Sequence, residues 1–339
     1  MSAAHGNFRF GVMGRIVQCC GSNGSGQLGV GHDEDLLSLL LCIFDGRTSL
    51  DADIRTISCG GNHTLILDDL DRCWASGDNL LGQCGHNGPS SSTFIQIPGT
   101  YSHVACGWEF SILVDTDGNI WSCGHGPKGE LGVPGVKNTL EKLKVLSLIN
   151  DGVHEIRAGL NHVLLSTKNG EMYGWGVSRK GQLGESLAKY LDKPTKLTIS
   201  PGNFRLGRDF SVVDHSGKLA VYGKYDYDLE EISFDQFDTM WTSIHWLGGG
   251  NLVGRGNDRH GQIVNANDIE SFVTGSEHGL ALKADGIYAW GWGEHGNCGI
   301  LSEGNVTTNH ELVRIGDRRG VVALYGGLAT SWVVYEDKS

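Results

Sequence analysis

Proline is scarce, 6 residues in 339, and no strict Gly-X-Y period runs through the chain, so a collagen-like fibre is excluded. Basic runs are missing too: no four consecutive Lys or Arg occur, and the densest spot is Asp317-Arg318-Arg319. With a formal net charge of −12, the chain lacks the concentrated basic face that sequence-independent nucleic-acid binding needs. The longest apolar-rich run, Leu36 to Phe44, falls far short of the roughly 20 residues that span a bilayer. The N-terminus, MSAAHGNFRFGVMGR, has no continuous apolar core of a secretory signal. The 9 cysteines are odd in number and form no C-x-x-C pair, which suggests a reduced intracellular protein with free, mostly buried thiols. Neither a G-x-x-x-x-G-K-[ST] phosphate loop nor a G-x-S-x-G nucleophile elbow is present.

Glycine is abundant instead: 52 residues, about twice the usual share, beside 9 tryptophans. That combination suits many tight turns between short, well-packed strands. Charged residues make up 19%, which argues against disorder.

The glycines fall into a repeat. ISCGGNHTLILDDLDRCWASGDNLLGQCG from Ile57, VACGWEFSILVDTDGNIWSCGHGPKGELG from Val104 and IRAGLNHVLLSTKNGEMYGWGVSRKGQLG from Ile156 share one outline. VTGSEHGLALKADGIYAWGWGEHGNCG from Val273 follows it too. Each reads as strand, small-residue turn, strand, Asp/Asn-Gly turn, strand ending near W/C-G, and a loop closing on Gly-Gln-Leu-Gly or a relative. In FSILVDTDGNIW apolar residues alternate until Asp117-Gly118, a hairpin signal because the turn needs positive φ. Weaker copies begin near Phe204, Met240 and Val321, which places markers at Gly60, Gly107, Gly159, Gly207, Trp241, Gly275 and Gly326, 34 to 52 residues apart. The chain opens on the second half of a unit, from Ile16, and ends on a first half, Val321 to Tyr335. The fold class expected is therefore all-β: a seven-bladed β-propeller over residues 15–339, its ring closed by N- and C-terminal strands sharing one blade. Residues 1–14 are expected to be a disordered N-terminal extension.

Two stretches match the dinucleotide pattern G-x-G-x-x-G: Gly291 to Gly296 and Gly24 to Gly29. They occupy corresponding places in two units, and no amphipathic helix follows, so the glycines belong to the repeat turn and not to a phosphate cradle.

The unit V-x-x-G-x-x-H…D-G-x-x-Y-x-W-G…G-Q-L-G resembles the regulator of chromosome condensation repeat, over Ile16 to Tyr335. GSNGSGQLGVGHDED (Gly21 to Asp35), CGGNH, ACGWE, MWTSIH, GSEHG and WGWGEHGNCG resemble a narrower branch, the fungal alpha-tubulin suppressor or killer-toxin-insensitivity branch. The run Leu36 to Leu50 departs from that branch, lacking its polar, Pro-containing loop. The narrower resemblance implies a non-enzymatic protein, without cofactor or metal, in the cytoplasm and nucleus. Its implied partner is the small zinc-ribbon protein of diphthamide biosynthesis. The heterodimer would support diphthamide formation on elongation factor two and, through Elongator, modification of tRNA wobble uridines, with no direct contact to nucleic acid or membrane. The wider family implies the alternative, a guanine-nucleotide exchange factor for a small GTPase. The chain has no basic N-terminal tail, and its inserts near Val133 to Val153 and Glu185 to Asn203 look ordinary for a dedicated wedge. A light-sensing propeller is a third reading, disfavoured because the G-W-R-H-T type repeat is absent.

With blade strands lettered A to D, the A–B and C–D loops share one face. The expected partner-binding residues lie there: Trp108, Glu109, Trp241, Glu277, His278, Trp292, Glu294 and His295. Rigid Trp anchors beside Glu and His suit a binding hot spot. Each has a plainer reading. His63, His162 and His278, in G-x-x-H, suit structural side chains bonded to a neighbouring backbone carbonyl, and Trp175 and Trp290 suit blade packing. Trp292 adds a second W-G beyond the one the repeat needs. Trp108 replaces a small or polar residue, whereas Trp241 replaces the repeat Gly itself and so also suits a core role. His295-x-x-Cys298 could supply two zinc ligands but has no second pair.

Overall fold

The computed structural model describes residues 14–145, 152–185, 188–229, 233–299 and 311–338. Most of the expected N-terminal extension, 1–14, lies outside them. Seven antiparallel sheets make seven blades, numbered here in chain order from Ile54. Their first strands, Ile54–Cys59, Tyr101–Cys106, Val153–Ala158, Phe204–Leu206, Gln236–Thr239, Ser271–Thr274 and Val321–Gly326, ring a central channel of 510 Å³. Blade 4 shows three strands among the described residues, where the sequence has no Gly-Gln-Leu-Gly loop.

Blade 7 closes the ring. Arg15–Gly21 pairs with Thr330–Glu336 in unbroken register, from Arg15 opposite Glu336 to Gly21 opposite Thr330. The apolar run after His32 completes this blade: Leu36–Leu41 is its outer strand. Cys42, Phe44 and Leu50 then turn inward and are buried against Trp74, Phe94 and Trp332. Phe44 stacks on Phe94 with ring centroids 5.0 Å apart, so the run fills the seam between blades 7 and 1.

The repeat glycines owe their place to close packing. The residue three positions on folds its ring back over them: an added Cβ would lie 2.1 Å from His63 at Gly60 and 2.0 Å from Phe110 at Gly107. Each of these glycines donates its N–H to the carbonyl of that same residue. By that bond the marker of blade 5 is Met240, whose N–H reaches the Ser243 carbonyl at 3.0 Å, and the marker of blade 7 is Gly327, bonded to Thr330 at 2.8 Å. Trp241 and Gly326 are thus each one residue out of register as markers. Blade 5 tolerates a methionine because Ser243 brings no ring to lie over it. The Asp117-Gly118 hairpin also differs in detail, since only Gly118 takes a positive φ, 86°, and its N–H bonds back to the Asp115 carbonyl.

Blades are locked to one another by tryptophan. Trp175 and Trp290 are fully buried, and their indole N–H groups donate to the Glu130 and Gln262 carbonyls in the C–D loop of the preceding blade, at 2.8 and 2.9 Å. All 9 cysteines are free thiols, and only Cys59 is not fully buried.

Candidate functional site

The A–B loops are tied together around the channel mouth by backbone bonds. The Gly61 N–H donates to the Trp108 carbonyl, Trp108 to Leu160, Arg208 to Trp241, and Trp241 to Ser276, at 2.7–3.3 Å. Trp108 and Trp241 therefore hold the same place in blades 2 and 5. Their indoles meet across the mouth with centroids 6.1 Å apart and planes tilted by 50°. Trp108 can lie there because its neighbour is Gly61, where an added Cβ would come within 3.2 Å of the indole. Trp108 remains 41% exposed, an unusual state for a large aromatic held by its backbone on both sides.

These indoles form one wall of a 310 Å³ cleft that opens beside the channel mouth, lined also by Glu277, Trp292, Glu294, His295 and Asn297. The opposite wall comes from the C–D loop of blade 6. Trp292 stacks on His260 of blade 5, centroids 4.2 Å apart and planes within 9°. His295 Nδ1 lies 2.9 Å from the Asp35 carboxylate of blade 7, whose other oxygen accepts the Asn23 N–H at 2.7 Å. Glu277 is buried, 8% exposed, with the Thr242 hydroxyl 2.9 Å and the Gln262 amide 3.0 Å from its oxygens. Burial pushes its carboxyl above the usual range, and those two hydrogen bonds oppose the shift.

Six of the eight expected partner-binding residues thus converge: Trp108, Trp241, Glu277, Trp292, Glu294 and His295. Glu109 and His278 do not line this cleft. Glu109 is partly buried, and its carbonyl accepts the His125 N–H. His278 is 1% exposed, with Nε2 2.9 Å from the Ser331 hydroxyl of the next blade. His63 and His162 make the same bond to Ser111 and Ser211, at 2.8 and 3.2 Å, so their partner is a hydroxyl one blade on and not a backbone carbonyl. His295 and Cys298 part company, one exposed and the other fully buried, and no group of three His, Cys, Asp or Glu suited to a metal gathers among the described residues. Asn297 escaped the sequence reading, although its signal was there: G-N-C-G stands where sister loops have Gly followed by Gln or Glu.

The regulator of chromosome condensation (RCC1) repeat family matches residues 54–83, 101–130 and 153–182. An RCC1 repeat-containing protein of Schizosaccharomyces pombe is 33% identical over 353 residues, covering 94% of this chain and 98% of the relative. Two proteins named secretion-regulating guanine nucleotide exchange factor are also similar. The Mus musculus protein is 29% identical over 86% of this chain and 77% of its own length. The Bos taurus protein is 26% identical over 84% and 76%. Among solved structures, yeast RCC1 (Prp20), crystallised with Kap60, superposes with a TM-score of 0.80 over all of this chain and 95% of its own. Its identity is 17%, so that likeness speaks to the fold alone.

The exchange-factor relatives overturn the expected function. A heterodimer with the zinc-ribbon diphthamide protein, and with it the roles in diphthamide biosynthesis, wobble-uridine modification and Elongator regulation, finds no support in them. The expectation that the protein is not an enzyme falls with it. Both followed from the narrower resemblance of the loops, with the acidic charge and the absence of catalytic motifs beside it, and neither of those two observations discriminates. Nucleotide exchange makes and breaks no covalent bond, so it needs no nucleophile, and an ordinary-looking loop is no argument against it.

Proposed function

Because the chain belongs to the RCC1 repeat family, we propose that it is a guanine-nucleotide exchange factor for a small GTPase, acting as a single propeller over residues 15–339. The observation that carries this reading is the similarity to two named exchange factors across 84% and 86% of the chain. The cleft supplies a physical means. Exchange is a linkage effect: a protein that binds the nucleotide-free GTPase more tightly than the GDP-bound form must lower GDP affinity by the same factor. Such discrimination calls for a preorganised surface, and the hydrogen-bonded channel mouth provides one. Trp108, Trp241 and Trp292 act as anchors, while Glu277, Glu294 and His295 set the polar pattern between them. Exposed Asp33, Glu34 and Asp35 on the adjoining blade 7 loop extend the acidic rim. Carboxylates facing a nucleotide site disfavour its phosphates by like-charge repulsion.

The finer placement in the fungal alpha-tubulin-suppressor branch belongs to this proposal as ancestry alone, supported by the loops from Gly21 to Asp35 and Trp290 to Gly299. Residence in the nucleus as well as the cytoplasm is likewise proposed. The test is affinity against nucleotide state. The cognate GTPase stripped of nucleotide binds at least about 100-fold tighter than its GDP form, a difference of about 2.7 kcal/mol, and excess GTP dissolves the complex. Equal affinity for both states would refute the reading.

A further inference from the structure

We propose that the cleft is a cage for one basic side chain, lysine or arginine, presented by the partner protein. The inference rests on reading the cleft as the partner surface and adds the chemistry of what enters it. Three indoles and two carboxylates line it, and none of its lining residues is Lys or Arg. The nearby Arg208 is held by Asp209 at 3.3 Å. Aromatic faces attract cations through their quadrupoles, most strongly where water is excluded, and the Glu277 and Glu294 side chains line the same cleft.

Asn297 gives the second, independent sign. In five sister loops its place is taken by Gln27, Gln83, Glu130, Gln182 and Gln262. Each reaches back with a side-chain oxygen to the backbone N–H two residues earlier, at 2.6–2.9 Å. Asparagine is one methylene shorter. Its amide nitrogen donates to the Trp292 carbonyl at 2.7 Å, but its Oδ1 is buried with no hydrogen-bond partner, on a residue only 1% exposed. A buried acceptor left unpaired costs roughly 1–3 kcal/mol. The blade 6 loop bears that cost at a residue that lines the cleft, and a small turn of the amide toward the cleft would let an incoming N–H donor offset it. Ammonium and guanidinium groups are the donors that satisfy the amide oxygen and the carboxylates together.

The test uses the full chain with no GTPase or nucleotide present, so failure of the cage and failure of exchange are told apart. N-acetyl-arginine methylamide and N-acetyl-lysine methylamide are titrated against the indole N–H signals, with the neutral citrulline analogue as control. Saturable shifts of Trp108, Trp241 and Trp292 are expected with one or both cations, and binding at least about tenfold weaker with citrulline. Asn297→Gln restores the sister-loop bond and withdraws the acceptor, so cation binding falls about tenfold or more while the thermal midpoint holds or rises. Glu277→Gln weakens the cations and not citrulline. Equal binding of citrulline, no saturable shift with either cation, or an Asn297→Gln variant that binds like the parent would overturn the proposal.

Discussion

Between pH 6.5 and pH 4 the protein is expected to lose stability steeply. His63, His162 and His278 are buried, and desolvation pulls each down to about 4; His245 is pulled to about 3. In the unfolded chain these rings take up protons near pH 6.5. Across that window the unfolded state therefore binds more protons than the folded one, and stability rises with pH. The contribution is complete above the unfolded value and is lost as pH falls toward the folded one. Each histidine supplies up to about 1.4 kcal/mol per pH unit, so the group can exhaust the roughly 5–15 kcal/mol of a typical domain. The geometry explains why the rings resist protonation. Ser211 donates its hydroxyl hydrogen to the Gln182 carbonyl, which leaves His162 Nε2 to carry the hydrogen it gives Ser211. Nδ1 of His63, His162 and His245 has no partner, and a proton there would be a buried, unpaired charge. Urea midpoints measured from pH 7.5 to 4.5 should hold nearly level at first and then fall as the pH drops through about 6.5. His162→Phe, which copies Phe110 and Phe210 at the same place in blades 2 and 4, should flatten the slope by about one proton. A midpoint constant down to pH 4.5 would contradict this account.

Removing both mouth indoles should cost exchange far more than it costs folding. Trp108→Ala, Trp241→Ala is expected to lower kcat/KM for GDP release at least about 100-fold, since anchor tryptophans at interfaces are commonly worth 2 kcal/mol or more each. The fold survives because Trp108 is 41% exposed and both residues stay tied through backbone groups that alanine keeps. The indoles touch, so the single variants should not add: losing one leaves the other unsupported, and the double loss should be smaller than the sum. Leu70→Ala, equally exposed at 43% but on the B–C turn of the opposite face, should leave release unchanged. A double variant that is folded and fully active would move the interface elsewhere.

The propeller was legible because its period and its turn residues recur, and because the two half-units at the ends complement each other. The register of blade 5 was not, since the repeat glycine is read from the ring that lies over it, and Ser243 brings no ring. Meeting of Trp108 with Trp241, 133 residues apart in sequence (241 − 108), depends on ring closure and has no local trace. The same holds for His63, His162 and His278, whose hydroxyl partners stand 48 to 53 residues on, in the following blade. Asn297 is the opposite case: the missing methylene is visible in the sequence, but its consequence appears only where five sister loops show what a longer side chain reaches. Function was misread because the loops that carry the narrower resemblance were taken to carry its partner as well, and because acidic charge and missing nucleophiles suit an exchange catalyst as well as an inert partner.

The central claim is tested most directly by release of labelled GDP from a panel of small GTPases, with the protein at substoichiometric amounts and unlabelled GTP in excess. The account predicts that at least one GTPase releases GDP at least about tenfold faster, a barrier lowered by about 1.4 kcal/mol, with many turnovers per propeller. Rates unchanged across the panel, or acceleration only at stoichiometric amounts, would contradict it.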